Sequence, residues 1–97
     1  MYFIFLGTDN PDCFELRRDT KIRHSAYLDA ATGLVSVLMS GPTMDSEGRE
    51  AGSVMILDAP DRESVAAFFE TEPYHLAGLY GATEVLIWNW KRGNPYL

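Results

Sequence analysis

The chain has almost no cysteine, little basic charge and no long apolar run, and each shortage excludes something. A single cysteine, Cys13, among 97 residues cannot form an internal disulfide; this suits a reducing compartment and a core that holds without covalent staples. Lysine and arginine total 8 against 14 aspartate and glutamate, a net charge of -6. Broad binding to a phosphate backbone needs a basic face, which this balance does not offer. The opening apolar run from Tyr2 to Leu6 is too short for a membrane span or signal segment and has no basic lead-in. Two histidines beside one cysteine are a weak set of metal ligands. No phosphate loop, dinucleotide fingerprint, nucleophile elbow, paired-cysteine motif or internal repeat is present. The expectation is one soluble, cytoplasmic domain over residues 1–97 with no nucleic-acid or membrane partner, no metal and no cofactor.

What is present alternates between strand-formers and helical spacing. Tyr2 to Leu6 is aromatic and branched and is stopped by Gly7 and Asn10-Pro11, which predicts a first strand. Asp12 is placed to cap the helical pattern from Cys13 to Ala31, with a break expected near Thr20. Within it His24, Tyr27, Leu28 and Ala31 share one face, and Thr32-Gly33 closes the helix. Leu34 to Met39 predicts a second strand, Thr43 to Ala51 a polar hairpin loop, and Gly52 to Leu57 a third strand. Asp61 caps a second helix with Val65, Phe68 and Phe69 as its apolar stripe. Thr83 to Trp90 predicts a fourth strand, and Lys91 to Leu97 a polar tail. The order βαββαβ is that of an α+β ferredoxin-like sandwich, a four-stranded antiparallel sheet with two helices on one face. Strands this apolar on both sides leave a greasy face that two helices cannot cover. A homodimer with sheets packed face to face follows from that.

The junction Glu72-Pro73-Tyr74-His75 holds the densest chemistry. Pro73 forbids simple helix continuation and fixes Glu72 at a helix end, where carbonyls make a negative charge less comfortable. His24 is a candidate acid/base imidazole on a face turned toward the sheet; its plain alternative is a core or rim histidine. Glu72 is the carboxylate best placed to orient it, and its plain alternative is an exposed helix end. Arg17, Arg18, Lys21 and Arg23 read mainly as a solvated face, with Arg18 and Lys21 kept as a candidate clamp for an anionic substrate. Ser53 offers a hydroxyl at the mouth of the sheet. Small residues at Gly41 and Gly52 leave room for a ligand or a backbone approach. His75 reads as an exposed turn residue, and Cys13 as a small apolar filler.

Taken in order, these pieces resemble the YciI-like (YCII-related) family along nearly the whole chain. The resemblance rests on the aromatic first strand followed by Asp9, the basic stretch leading to His24 and Tyr27-Leu28, Ser40-Gly41-Pro42, Gly52-Ser53, and Glu72-Pro73-Tyr74 with Ala77-Gly78-Leu79-Tyr80. It implies a dimeric α/β barrel and a pocket in which the family histidine and an aspartate form an acid/base pair, carried here by His24 and Glu72. Ser53 matches the family's Gly-Ser serine, and the chain departs from the pattern with Glu72 in place of aspartate and Lys21 in place of arginine. Members with a known activity resemble enzymes that eliminate hydrogen chloride from a hydroxylated ring, and relatives of the fold isomerise muconolactones or oxidise phenols without a cofactor. The functional expectation is a cofactor-independent lyase or isomerase acting on a small hydroxylated aromatic or lactone-like metabolite. In it His24 moves the proton and Glu72 orients it, while Ser53 and Tyr74, with Asp9 near the mouth and Gly41-Pro42, position the substrate. The alternative is a non-catalytic dimeric module that only holds a small molecule.

Overall fold

Strand β1 (Tyr2–Asp9) is the centre of the structure, a computed structural model that describes residues 1–31 and 33–97. It pairs antiparallel with β3 (Glu50–Asp58) on one side and β4 (Tyr80–Trp88) on the other, and β2 (Ser36–Met44) pairs antiparallel with β3. The resulting order is β2-β3-β1-β4. Alternation along the strands decides the core. Phe3 and Phe5 of β1 and Met55 and Leu57 of β3 turn to the same face and are buried beneath α2 (Arg62–Glu70), where Val65, Phe68 and Phe69 meet them. The Phe5 and Phe69 rings stack at 4.2 Å between centroids.

Helix α1 (Phe14–Asp29) covers the rest of that face, and a one-turn helix α3 (Pro73–Leu76) sits beside it. The inward stripe of α1 runs Arg17, Thr20, His24, Tyr27 and Leu28, a spacing of three and four that keeps one side of the cylinder. Its last turns are apolar and join the core, whereas its first turns are polar. The sequence expectation of a break at Thr20 is not met: the helix runs through it, because Thr20 is buried on the packed side. Its hydroxyl nonetheless has no hydrogen-bond partner among the described residues.

Several expected boundaries shift. Asp12 does not cap α1; it takes a left-handed backbone (φ 59°) and Cys13 occupies the cap position without a side-chain bond. Asp61 does cap α2, accepting from the Ser64 amide at 2.8 Å. The hairpin expected over Thr43 to Ala51 shortens to a tight turn, since β2 extends to Met44 and β3 begins at Glu50. Asp45 organises that turn by accepting the Glu47 and Arg49 amides, each at 2.9 Å. Strand β4 starts earlier than expected, at Tyr80, and ends before Trp90, which is buried and packs edge-on against Tyr2. The helix stop expected at Thr32-Gly33 falls partly outside the described residues; Gly33 has the positive φ of such a stop, 85°, although α1 itself ends at Asp29.

Among the described residues no helix lies on the other face of the sheet. Ile4, Leu6, Met39, Val54, Ile56 and Leu86 share it by strand register, and Leu6, Met39 and Leu86 are exposed.

Candidate active site

The polar half of the α1 stripe meets β3 and α3 around a cavity of about 290 Å³. Of the residues singled out from the sequence, Lys21, His24, Gly41, Pro42, Ser53 and Tyr74 line it. Glu72 stands directly behind His24. Asp9 and Arg18 are elsewhere, for reasons given below.

Glu72 is completely buried (0% exposed), although carboxylates almost never are unless paired. Both of its oxygens are taken: Oε1 meets His24 Nδ1, and Oε2 accepts the His75 amide at 3.0 Å. It is therefore the N-cap of α3, with Pro73 at the first helical position. The expectation of a carboxylate set uncomfortably at a helix C-terminus is corrected here. The chain leaves α2 at Thr71 and restarts as α3 one residue later. Amides rather than carbonyls thus face the charge, which favours an anion. The extra methylene of glutamate does not keep the carboxylate from the imidazole.

His24 is held from a second direction. The Tyr74 ring, fully buried on α3, stacks on the imidazole at 3.9 Å between centroids with 16° between planes. With Nδ1 committed to Glu72, Nε2 is the nitrogen available to the cavity. An Nδ1–H donated to a carboxylate leaves the Nε2 lone pair free to accept a proton.

A second polar centre lies beside the first. Arg17, 3% exposed, donates through Nε and Nη2 to the two oxygens of Asp9 at 2.7 and 2.8 Å, and through Nη2 to Ser53 Oγ at 2.9 Å. Its guanidinium also lies 4.7 Å from the centre of the Tyr74 ring, within the range of a cation–π contact. Burial opposes the Arg17 charge, but the hydrogen-bonded Asp9 carboxylate outweighs it and raises the pKa. Asp9 is consequently the counter-ion of Arg17, and it does not line the cavity. Tyr80 donates its hydroxyl proton to Ser53 Oγ at 2.8 Å. Burial pushes both phenols, Tyr74 and Tyr80, above the ordinary tyrosine range.

At the rim Lys21 pairs with both oxygens of Glu50, at 2.9 and 2.8 Å, and both side chains line the cavity. Arg18 does not take part. It sits one residue along the helix from buried Arg17 and so points outward, where it is exposed and pairs with Asp19 at 3.2 Å. His75 is exposed, as its place in the turn suggested.

Arg17, expected on a solvated face, is instead buried in the site; Glu50 was not singled out, and Tyr80 entered only as the end of a family motif. Arg17 was legible, because His24 counted back by four and seven gives Thr20 and Arg17 on the same face. Nothing local marks Glu50 or assigns Tyr80 a role, since both positions depend on strand pairing.

Comparison with known proteins places the chain. The solved structure of 5-chloro-2-hydroxyhydroquinone dehydrochlorinase from Burkholderia phenoliruptrix AC1100, in complex with 2,5-dihydroxybenzoquinone, is similar to it at 30% identity and a TM-score of 0.83. The match covers 92% of this chain and 94% of that one. No curated protein matches it. The family model for the YCII-related domain matches residues 1–91, and the protein thus belongs to the YCII-related family, with the four-stranded α+β fold that the sequence order implied.

Proposed function

We propose that the protein is a cofactor-independent enzyme of lyase or isomerase type acting on a small hydroxylated aromatic or related cyclic molecule. The observation that carries this reading is the fully buried Glu72 carboxylate held against His24 Nδ1 at the wall of a cavity. Burying a carboxylate is costly unless it is paired and hydrogen-bonded, and here both oxygens are spent on orienting an imidazole and capping one helical turn. An imidazole so fixed presents one nitrogen to the cavity in the orientation that a general acid/base needs. His24 Nε2 removes a proton from the substrate and hands it on, while Glu72 stabilises the imidazolium that forms. Tyr74 and Ser53 position the ring, with the Lys21–Glu50 ion pair at the rim. The similar dehydrochlorinase structure, which holds a hydroxylated quinone, supports the substrate class.

The working form is a homodimer in the cytoplasm. Its basis is the uncovered apolar face bearing Ile4, Leu6 and Leu86, since contiguous exposed apolar patches mark interaction sites. The alternative, a non-catalytic dimeric module that only holds a small molecule, is set against this reading by the contact between Glu72 and His24, which the catalytic reading requires.

The test is turnover of a panel of chlorinated and non-chlorinated hydroxylated rings by the wild type, His24→Ala and Glu72→Gln. Loss of at least about 100-fold on His24→Ala is expected from removing a general base. Equal rates in all three proteins would end the proposal.

A further inference from the structure

Tyr27 lies one turn beyond His24 on the inward stripe of α1. Its ring packs on Phe68 at 5.1 Å between centroids, but its hydroxyl does something a phenylalanine could not. A hydroxyl has one hydrogen to give and a carbonyl can only accept, so that hydrogen goes to the Phe68 carbonyl at 2.6 Å. The Thr71 hydroxyl, 2.9 Å away, is then the donor to the phenol oxygen. Phe68 belongs to the last turn of α2, and Thr71 is its C-cap. Carbonyls of a last turn have no partner within their own helix; Tyr27 satisfies one of them and holds the residue where α2 stops. The next residue is Glu72.

The far end of the same segment is held as well. Gly78 closes α3 in a left-handed conformation (φ 72°), with its amide on the His75 carbonyl at 3.0 Å and the Leu79 amide on the Tyr74 carbonyl at 3.1 Å. Asn10, just past β1, donates its side-chain amide to the Gly78 carbonyl at 3.0 Å and its backbone N–H to the Leu79 carbonyl at 2.7 Å. A Cβ on Gly81 would lie 2.5 Å from Asn10 Oδ1, so glycine there leaves the space that the Asn10 side chain takes. Residues 72–77, which carry Glu72 and Tyr74, run between these two fixed ends.

We propose that Tyr27 and Asn10 pin the two ends of the α3 segment, so that the Glu72 carboxylate meets the His24 imidazole and the Tyr74 ring stacks on it. Both are positioning residues: Tyr27 acts through Thr71, and Asn10 through Gly78. Tyr27 and His24 are three residues apart on one helix, so the body that carries the imidazole also sets the place of its carboxylate. A misplacement of about 1 Å can cost about 100-fold in rate, which gives such pins their use. The inference rests on the reading of His24 and Glu72 as an acid/base pair.

Proton NMR of nitrogen-labelled protein reads the contact directly and needs no substrate, because an imidazole N–H given to a buried carboxylate resonates far downfield of other ring protons. Tyr27→Phe keeps the ring and loses the hydroxyl; it should move the His24 Nδ1 proton upfield, and Asn10→Ala should move it the same way. A residue that only adds stability would lower the melting temperature and leave this native-state signal in place, so an unmoved signal overturns the pin at that end. Thr71→Val should give part of the Tyr27→Phe shift, and added to that variant it should give nothing further, since the bond it removes is already gone. Two independent, summed shifts would overturn the link through Thr71. On any hydroxylated ring that the wild type turns over, kcat should fall roughly 2- to 10-fold in Tyr27→Phe and in Asn10→Ala, the worth of one hydrogen bond, with KM little changed. A wild type that turns over none, but shows this pattern of shifts, defeats the catalytic reading and leaves the pins standing.

Discussion

Replacing Glu72 by glutamine removes one charge and almost no volume, yet the geometry leaves the new side chain no good arrangement. The carboxylate uses both oxygens as acceptors, one for His24 Nδ1 and one for the His75 amide. A glutamine has one acceptor and one donor group. If its amide nitrogen faces the His75 N–H, two donors meet in a site from which water is excluded and α3 loses its cap. Leaving that buried donor unpaired costs about 1–3 kcal/mol. If the nitrogen instead faces His24, Nδ1 must become an acceptor and the ring proton moves to Nε2. Neutral imidazole accepts that change at small cost, so the second arrangement wins. The protein should stay folded with its histidine in the wrong tautomer, the Nε2 lone pair gone and the base disabled. Where an oriented imidazole elsewhere suffers the same inversion, turnover falls by roughly 10⁴-fold, and a loss of about 10³- to 10⁴-fold is expected here. Nitrogen NMR of isotopically labelled histidine reads the tautomer directly and needs no substrate. Wild-type protein should show the proton on Nδ1 and the Glu72→Gln variant on Nε2. An unchanged tautomer, or turnover within a few-fold of wild type, would refute the reasoning.

Other perturbations probe neighbouring features. Arg17→Met leaves the Asp9 carboxylate buried without its partner and should destabilise the fold by about 3–5 kcal/mol in urea melts, while adding Asp9→Asn should recover part of the loss. Thr20→Val removes the buried hydroxyl that has no partner and should raise stability by about 1 kcal/mol, seen as a melting temperature higher by roughly 4–8 °C. Tyr74 and Tyr80 have raised pKa values in the fold, so they hold protons that the unfolded chain loses near pH 10. Their contribution to stability is complete below that pH and disappears as pH climbs through the elevated values. An alkaline absorbance titration should accordingly show these two of the five tyrosines ionising only with unfolding. Leu86→Lys, on the uncovered face, should shift light scattering from two copies towards one.

Much of the architecture was legible in the sequence because the strand runs are strongly apolar and bounded by glycine, proline and asparagine. The Asp61 cap was equally plain, a short acceptor three residues before Ser64. What misled was local chemistry read without its neighbours. Asp12 looked like a cap but adopts a turn conformation, and Thr20 looked like a breaker but is packed into the interior. Residues 43 to 51 looked too polar for strands, yet Thr43 and Met44 pair with β3. At the site, His24 and Glu72 could be named because helix spacing and Pro73 constrain them. Asp9 was drawn inward by Arg17, a tertiary ion pair that no spacing rule announces. Tyr80 reaches Ser53 only because β1 lies between their strands and carries a glycine there.

The single inward stripe of α1 ties the cavity wall to the core. Arg17 and His24 share their side of the cylinder with Tyr27 and Leu28, which grip the interior. Adding or deleting one residue between Thr20 and Tyr27 would swing the upstream part by about 100°, tipping Arg17 into solvent while the downstream anchors stayed put. Descendants of this chain can therefore vary the cavity by exchanging side chains along the helix, but seldom by changing its length. Variation in length belongs to the Asp45–Arg49 turn, which carries no part of the cavity wall.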